Sequence, residues 1–76
     1  MMNLYAIDQY FKSATFTSFE GSLQSLAQII SRSTRSSVKS YEILEYFLFN
    51  SYPHNYYINV CFANGEIHVL IQENNP

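Results

Sequence analysis

The chain has no tryptophan, one cysteine, two glycines, two prolines and only 13% charged residues among its 76 positions. Each scarcity excludes something. With Cys61 alone no internal disulfide can form, so the cross-links that stabilise many domains of this size are ruled out. With so few glycines there is no Gly-rich phosphate loop. The longest unbroken apolar runs reach four residues, as in Tyr46–Phe49, too short for a membrane-spanning helix. The N-terminus pairs no basic stretch with an apolar segment, so no signal peptide is expected and a cytoplasmic, reducing location follows. What is abundant is apolar surface: 47% of the residues, with seven Tyr and six Phe. That composition lies outside the disordered regime and fits one small globular domain spanning residues 1–76.

Positive charge is scarce and unevenly placed. The net charge is −2, yet Arg32, Arg35 and Lys39 fall within eight residues that contain no acid. The remaining chain sets Lys12 against six acids. A +3 knot therefore sits in a −5 body, and such an asymmetry points to a binding surface.

Hydrophobic periodicity divides the chain. Leu4, Ile7 and Phe11, with Tyr10 beside them, predict a helix over 4–12 in which Asp8 and Lys12 form an i,i+4 ion pair and Asn3 is the N-cap. Thr15, Phe16 and Thr17 are β-branched and aromatic, enough for a strand stub. Leu23, Leu26, Ala27 and Ile30 predict a second helix capped by Ser22, with Ser18 an earlier alternative start. Its pattern fails around Ser31–Thr34, where hydroxyl side chains compete with the backbone ladder. Residues 41–49 fit either state. A strand would put Glu42 and Glu45 on opposite faces. A helix gathers Tyr41, Ile43, Leu44, Phe47 and Leu48 on a buried side and leaves Lys39, Glu42, Glu45 and Asn50 opposite, with Val38, Tyr46 and Phe49 among them. Segregation of charge favours the helix, with Asn50 and Pro53 as its stop.

The last element is a hairpin. Asn64-Gly65 is the preferred pair for a two-residue type I′ turn, since both positions need positive φ. That tip pairs Phe62 with Ile67, Val60 with Val69 and Ile58 with Ile71, all on one face. Tyr57 with Gln72, Asn59 with Leu70, Cys61 with His68 and Ala63 with Glu66 fall on the other. A one-residue slip would destroy this segregation, so the register is specified, and the apolar face is expected to pack on the helices.

Helix, strand stub, helix, turn, helix and hairpin resembles a winged helix-turn-helix domain, a small α+β fold. Ser22-Leu23-Gln24-Ser25-Leu26-Ala27 is similar to the start of that superfamily's positioning helix. Residues 31–38 resemble its turn and the start of the recognition helix, with Val38 as the buried residue, and the hairpin is the wing with Asn64 and Gly65 at its tip. Two departures concern the angle between the helices: Ala27 and Val38 are eleven residues apart instead of ten, and Ser31 stands where the turn usually has glycine. The resemblance implies duplex DNA as partner and a role as a transcriptional regulator or accessory factor.

The candidate nucleic-acid contacts are Arg32, Ser33, Thr34, Arg35, Ser36, Ser37 and Lys39. Their cations neutralise phosphates, while hydroxyls and helix N-terminal amides hydrogen-bond phosphate oxygens. Against this reading, Glu42 and Glu45 lie on the same helix and the wing strands carry no Arg or Lys. A homodimer would double the basic patch, with exposed tyrosines as contacts. The bland alternative for the knot is a solvated Ser-rich loop. The competing function is a non-enzymatic protein-binding module or inhibitor, of the anti-defence kind that phages and mobile elements deploy. Cys61 facing His68 supplies two potential ligands where zinc needs three or four, and a packed cross-strand pair is the simpler account. The 52–57 aromatics are read mainly as a plug for the core. Neither a nucleophile with its base nor a catalytic carboxylate pair is visible, so no enzyme, cofactor or metal is expected.

Overall fold

The computed structural model describes residues 2–14, 16–49 and 56–74. Its elements run α1 (Met2–Lys12), β1 (Ser18–Ser22), α2 (Leu23–Thr34), α3 (Ser40–Phe49), β2 (Tyr56–Ala63) and β3 (Glu66–Glu73). This is an α+β arrangement of three mutually packed helices and a three-stranded antiparallel sheet ordered β1-β3-β2, with α2 against β1 and β3. Residues 41–49 are helical, so the strand alternative for them falls.

The first strand lies later than expected. Thr15 is outside the described residues, Phe16 and Thr17 precede the strand, and β1 is instead Ser-Phe-Glu-Gly-Ser, a sequence of low strand propensity. Tertiary pairing overrides propensity here: Phe19 lies opposite Ile71 and Gly21 opposite Val69. Gly21 has a reason to be glycine, because a Cβ there would sit 3.1 Å from the Phe19 ring. Phe16 goes into the core, its ring centroid 5.0 Å from that of Phe11 at 87°. Phe11 also stacks on Tyr46 and lies 6.2 Å from Tyr56. An aromatic cluster around one buried phenylalanine thus supplies the apolar burial that a disulfide-free chain of this length needs.

In α2 the predicted face is the buried one: Leu23, Leu26, Ala27 and Ile30. The Ser22 Oγ accepts the Ser25 N–H at 3.1 Å, the N-cap expected of it. The helix continues through Thr34, whose hydroxyl returns to the Ile30 carbonyl at 2.7 Å instead of breaking the ladder.

Two helix assignments are corrected. Asn3 is not a cap, because α1 already begins at Met2. Its amide instead donates to the Ser37 carbonyl and to Glu42 Oε2, both at 2.9 Å, tying α1 to the start of α3. In α3 the buried pair is Ile43 and Tyr46, with Leu44 and Phe47 half-buried, while Tyr41 and Leu48 are 67% and 76% exposed. Charge segregation predicts Tyr46 on the outer side, and the structure buries it. The phenol makes its burial tolerable by donating a 2.8 Å hydrogen bond to Asp8 Oδ1 on α1. Asp8 also pairs with Lys12 at 2.9 Å, as predicted. Burial pushes the Asp8 carboxyl up, but the hydrogen bonds from Lys12 and Tyr46 outweigh it and hold its pKa below the ordinary 3.8.

The hairpin adopts the predicted register at all seven pairs from Tyr57↔Gln72 to Ala63↔Glu66. Asn64 and Gly65 have φ of 53° and 77°, the signs that a type I′ turn requires. Its apolar face, however, is only partly covered. Tyr56, Val69 and Ile71 are buried, but Val60 is 48% and Phe62 74% exposed. The reason lies in the strand order: α2 packs against β1 and β3, so that among the described residues the Val60–Phe62 end of β2 is left with little cover.

Candidate nucleic-acid interface

The basic residues gather where α2 turns into α3. Arg32 is on the last turn of α2 and Lys39 immediately precedes α3. Arg35 caps α2 in the left-handed conformation (φ 57°), with its N–H and that of Ser36 both reaching the Ser31 carbonyl. The following loop is held by Ser31, whose Oγ accepts the Val38 N–H at 2.8 Å and donates to the Val38 carbonyl at 3.1 Å. Both backbone groups of Val38 are therefore satisfied by one side chain while Val38 itself enters the core.

This arrangement corrects the predicted recognition-helix start. Arg32, Ser33 and Thr34 belong to α2, Arg35 to its cap, and Ser36, Ser37 and Lys39 to the connecting segment; α3 begins only at Ser40. Val38 is buried as predicted, but from the turn and not from the helix. The physical cause is that α2 runs on through Thr34 before the left-handed Arg35 closes it, which leaves residues 36–39 to the connection.

Arg32, Ser33, Arg35, Ser37 and Lys39 are exposed, whereas Thr34 and Ser36 are half-buried. Among the described residues none of the three cations has an ion-pair partner, in contrast to Lys12. Among the described residues neither acid of α3 forms an ion pair with them. Glu42 is engaged as a cap: Oε1 accepts the Lys39 N–H at 2.8 Å and Oε2 the Asn3 amide. Its carboxylate occupies the position at the α3 N-terminus that a phosphate would otherwise favour, so the Lys39 amide is already used. Sequence spacing held one clue to this. Lys39 and Glu42 stand three apart, as in a capping box, but a lysine at the first position conceals the motif. The Ser31 bridge and the Asn3 tie carry no comparable local signal.

The hairpin tip contributes little charge. Asn64 and Gly65 are exposed, and Phe62, Gly65, Glu66 and Ile67 line an open cleft of about 370 Å3 against Leu23 and Ser40. On the outer sheet face Cys61 lies opposite His68, whose Nε2 is 3.6 Å from Glu66 Oε1, an ion pair only when the imidazole is protonated. Among the described residues no three His, Cys, Asp or Glu side chains gather in metal-binding geometry. His54 and the 52–55 segment, with Asn50 and Pro53, lie outside the described residues; of the predicted aromatic plug, Tyr56 is buried and Tyr57 exposed. No helix among the described residues is long and apolar enough to cross a membrane. Compared with protein families, curated proteins and solved structures, the chain matches none.

Proposed function

We propose that the chain is a winged helix-turn-helix module that binds duplex DNA, chiefly by phosphate contacts, through the α2–α3 turn. The observation that carries this reading is the gathering of three exposed cations, without ion-pair partners among the described residues, around one helix-to-helix turn. The order helix, strand, helix, turn, helix, hairpin supports it. Arg32, Arg35 and Lys39 supply the charge, Ser33 and Ser37 supply exposed hydroxyls, and Asn64 and Gly65 form the wing tip. Binding through three phosphates gives a salt slope of about −2.7, a loss of affinity of roughly 40-fold between about 50 and 200 mM salt. The test is a titration of labelled duplex at several salt concentrations. Arg35→Gly is the informative variant, because glycine suits the left-handed cap and removes only the cation. Its slope should fall by about one. Unchanged affinity and slope in both Arg35→Gly and Lys39→Ala would refute the reading.

One observation favours the competing protein-binding reading. The outward side of α3 presents Tyr41, Leu48 and Phe49 and no cation, a surface suited to an apolar partner better than to a groove of phosphates. A stoichiometric protein retained by the wild type from host extract and lost with Leu48→Ser would establish that alternative.

A further inference from the structure

The sheet ends, on the β2 side, in an edge that the proposed DNA contacts do not use. β2 is an edge strand, and among the described residues no strand pairs with its outer side. Edges of this kind are ordinarily protected by charge, proline or a bulge. Tyr56–Ala63 has none of these: its eight residues include no charged side chain, no proline and no glycine, and its pairing with β3 is regular throughout.

The parity of the hairpin decides what the edge displays. A two-residue turn makes its flanking pair, Ala63 and Glu66, a hydrogen-bonded one, and hydrogen-bonded pairs recur every second residue. Odd-numbered residues of β2 therefore direct their amides and carbonyls to β3. Ile58, Val60 and Phe62 direct theirs to the open side. These are also the residues whose side chains lie on the incompletely covered apolar face, Val60 at 48% and Phe62 at 74% exposure. Among the described residues, unused backbone groups and exposed apolar surface thus coincide on Val60 and Phe62, with Ile58 half-buried beside them.

We propose that this edge pairs with the same edge of a second copy, antiparallel about a two-fold axis, to form a six-stranded sheet across a homodimer. The occupant is chosen by complementarity. A two-fold antiparallel pairing must match even with even residues, so it keeps each apolar side chain on the helix-bearing face and brings Ile58, Val60 and Phe62 of one copy beside those of the other. A strand without charge meets its own copy with no like-charge repulsion, and no single-sign pattern on it calls for a foreign partner of opposite sign. Pairing at one edge closes the assembly at two copies. The inference is independent of DNA binding, although a dimer would carry six of the turn's cations instead of three.

The experiment is sedimentation equilibrium of the full chain across about 1–500 µM, with amide hydrogen exchange on the same samples. The expected result is a dimer of two 8.9 kDa chains, with the Ile58, Val60 and Phe62 amides protected in proportion to dimer fraction. Phe62→Lys puts a charge at an exposed position of the pairing edge and should weaken association at least about tenfold. Val60→Pro removes one edge-facing N–H where an edge strand tolerates proline, and should do the same without charge. Far-UV circular dichroism confirms that each variant is folded; if one is not, the other decides. A monomer throughout the range overturns the proposal and leaves the edge to a foreign strand. So does a dimer that both variants leave intact, or growth beyond two copies.

Discussion

Replacing Tyr46 by phenylalanine isolates one interaction that joins α1 to α3. The ring is 1% exposed and stacks on Phe11 at 5.7 Å and 16°, contacts that phenylalanine keeps. What is lost is the 2.8 Å hydrogen bond from the phenol to Asp8 Oδ1. A hydrogen bond to a charged acceptor contributes about 1.5–3 kcal/mol. The Asp8 side chain is 24% exposed and retains Lys12, so water replaces part of the loss and the lower end applies, about 1–2 kcal/mol. At roughly 6 °C per kcal/mol for a domain of this size, the melting temperature should fall by about 6–12 °C. The pH dependence adds a second constraint. The Asp8 carboxyl is held below 3.8 in the fold, so its stabilisation is complete above that value and is lost as pH falls through the folded pKa. Tyr46→Phe removes one of the groups lowering it, so the gap between the two proteins should be widest at neutral pH and narrow below about pH 4. Urea melts of wild type, Tyr46→Phe, Asp8→Asn and the double variant at both pH values measure the coupling directly. Equal stability at neutral pH, or a gap that does not shrink on acidification, would refute the reasoning.

Two further outcomes follow from the turns. Ser31→Ala leaves both backbone groups of Val38 without their side-chain partner, and should cost about 1–3 kcal/mol in a denaturant melt. A loss below about 0.5 kcal/mol would mean that water replaces the bridge at no cost. Gly65→Ala meets no neighbouring atom within 4 Å but forces alanine to φ 77°, so it should destabilise by about 1 kcal/mol purely through conformation. Chemical shifts of Phe62 and Ile67 should show the register retained; a slipped pairing would contradict that account.

How much of this molecule was legible in one dimension depended on how local the governing physics is. The hairpin register was readable because period-two alternation and the Asn64-Gly65 turn agree within a few residues of each other. The α2 face and its Ser22 cap were readable for the same reason. The phase of α3 was not. Its charges suggested one buried side, but the Asp8 acceptor that lets Tyr46 go inside is 38 residues away in the chain. β1 was misplaced because its strand character comes from pairing with β3, not from its own composition. At the candidate interface the cluster of cations was evident from spacing, whereas its assignment to the end of α2 and the connecting turn was not. That depended on an αL cap at Arg35 and on the Ser31 bridge to Val38.

By itself, then, the scarcity of cysteine, glycine and charge determined a disulfide-free, aromatic-cored α+β domain with one basic knot, since these follow from composition and short-range periodicity. Only the tertiary structure decided which surfaces remain open. That Arg32, Arg35 and Lys39 have no ion-pair partner, that Glu42 is tied to Asn3, and that the outer side of β2 is unpaired, all among the described residues, depend on which distant element arrives to cover a residue. Coverage is a property of packing, and no spacing rule within the chain encodes it.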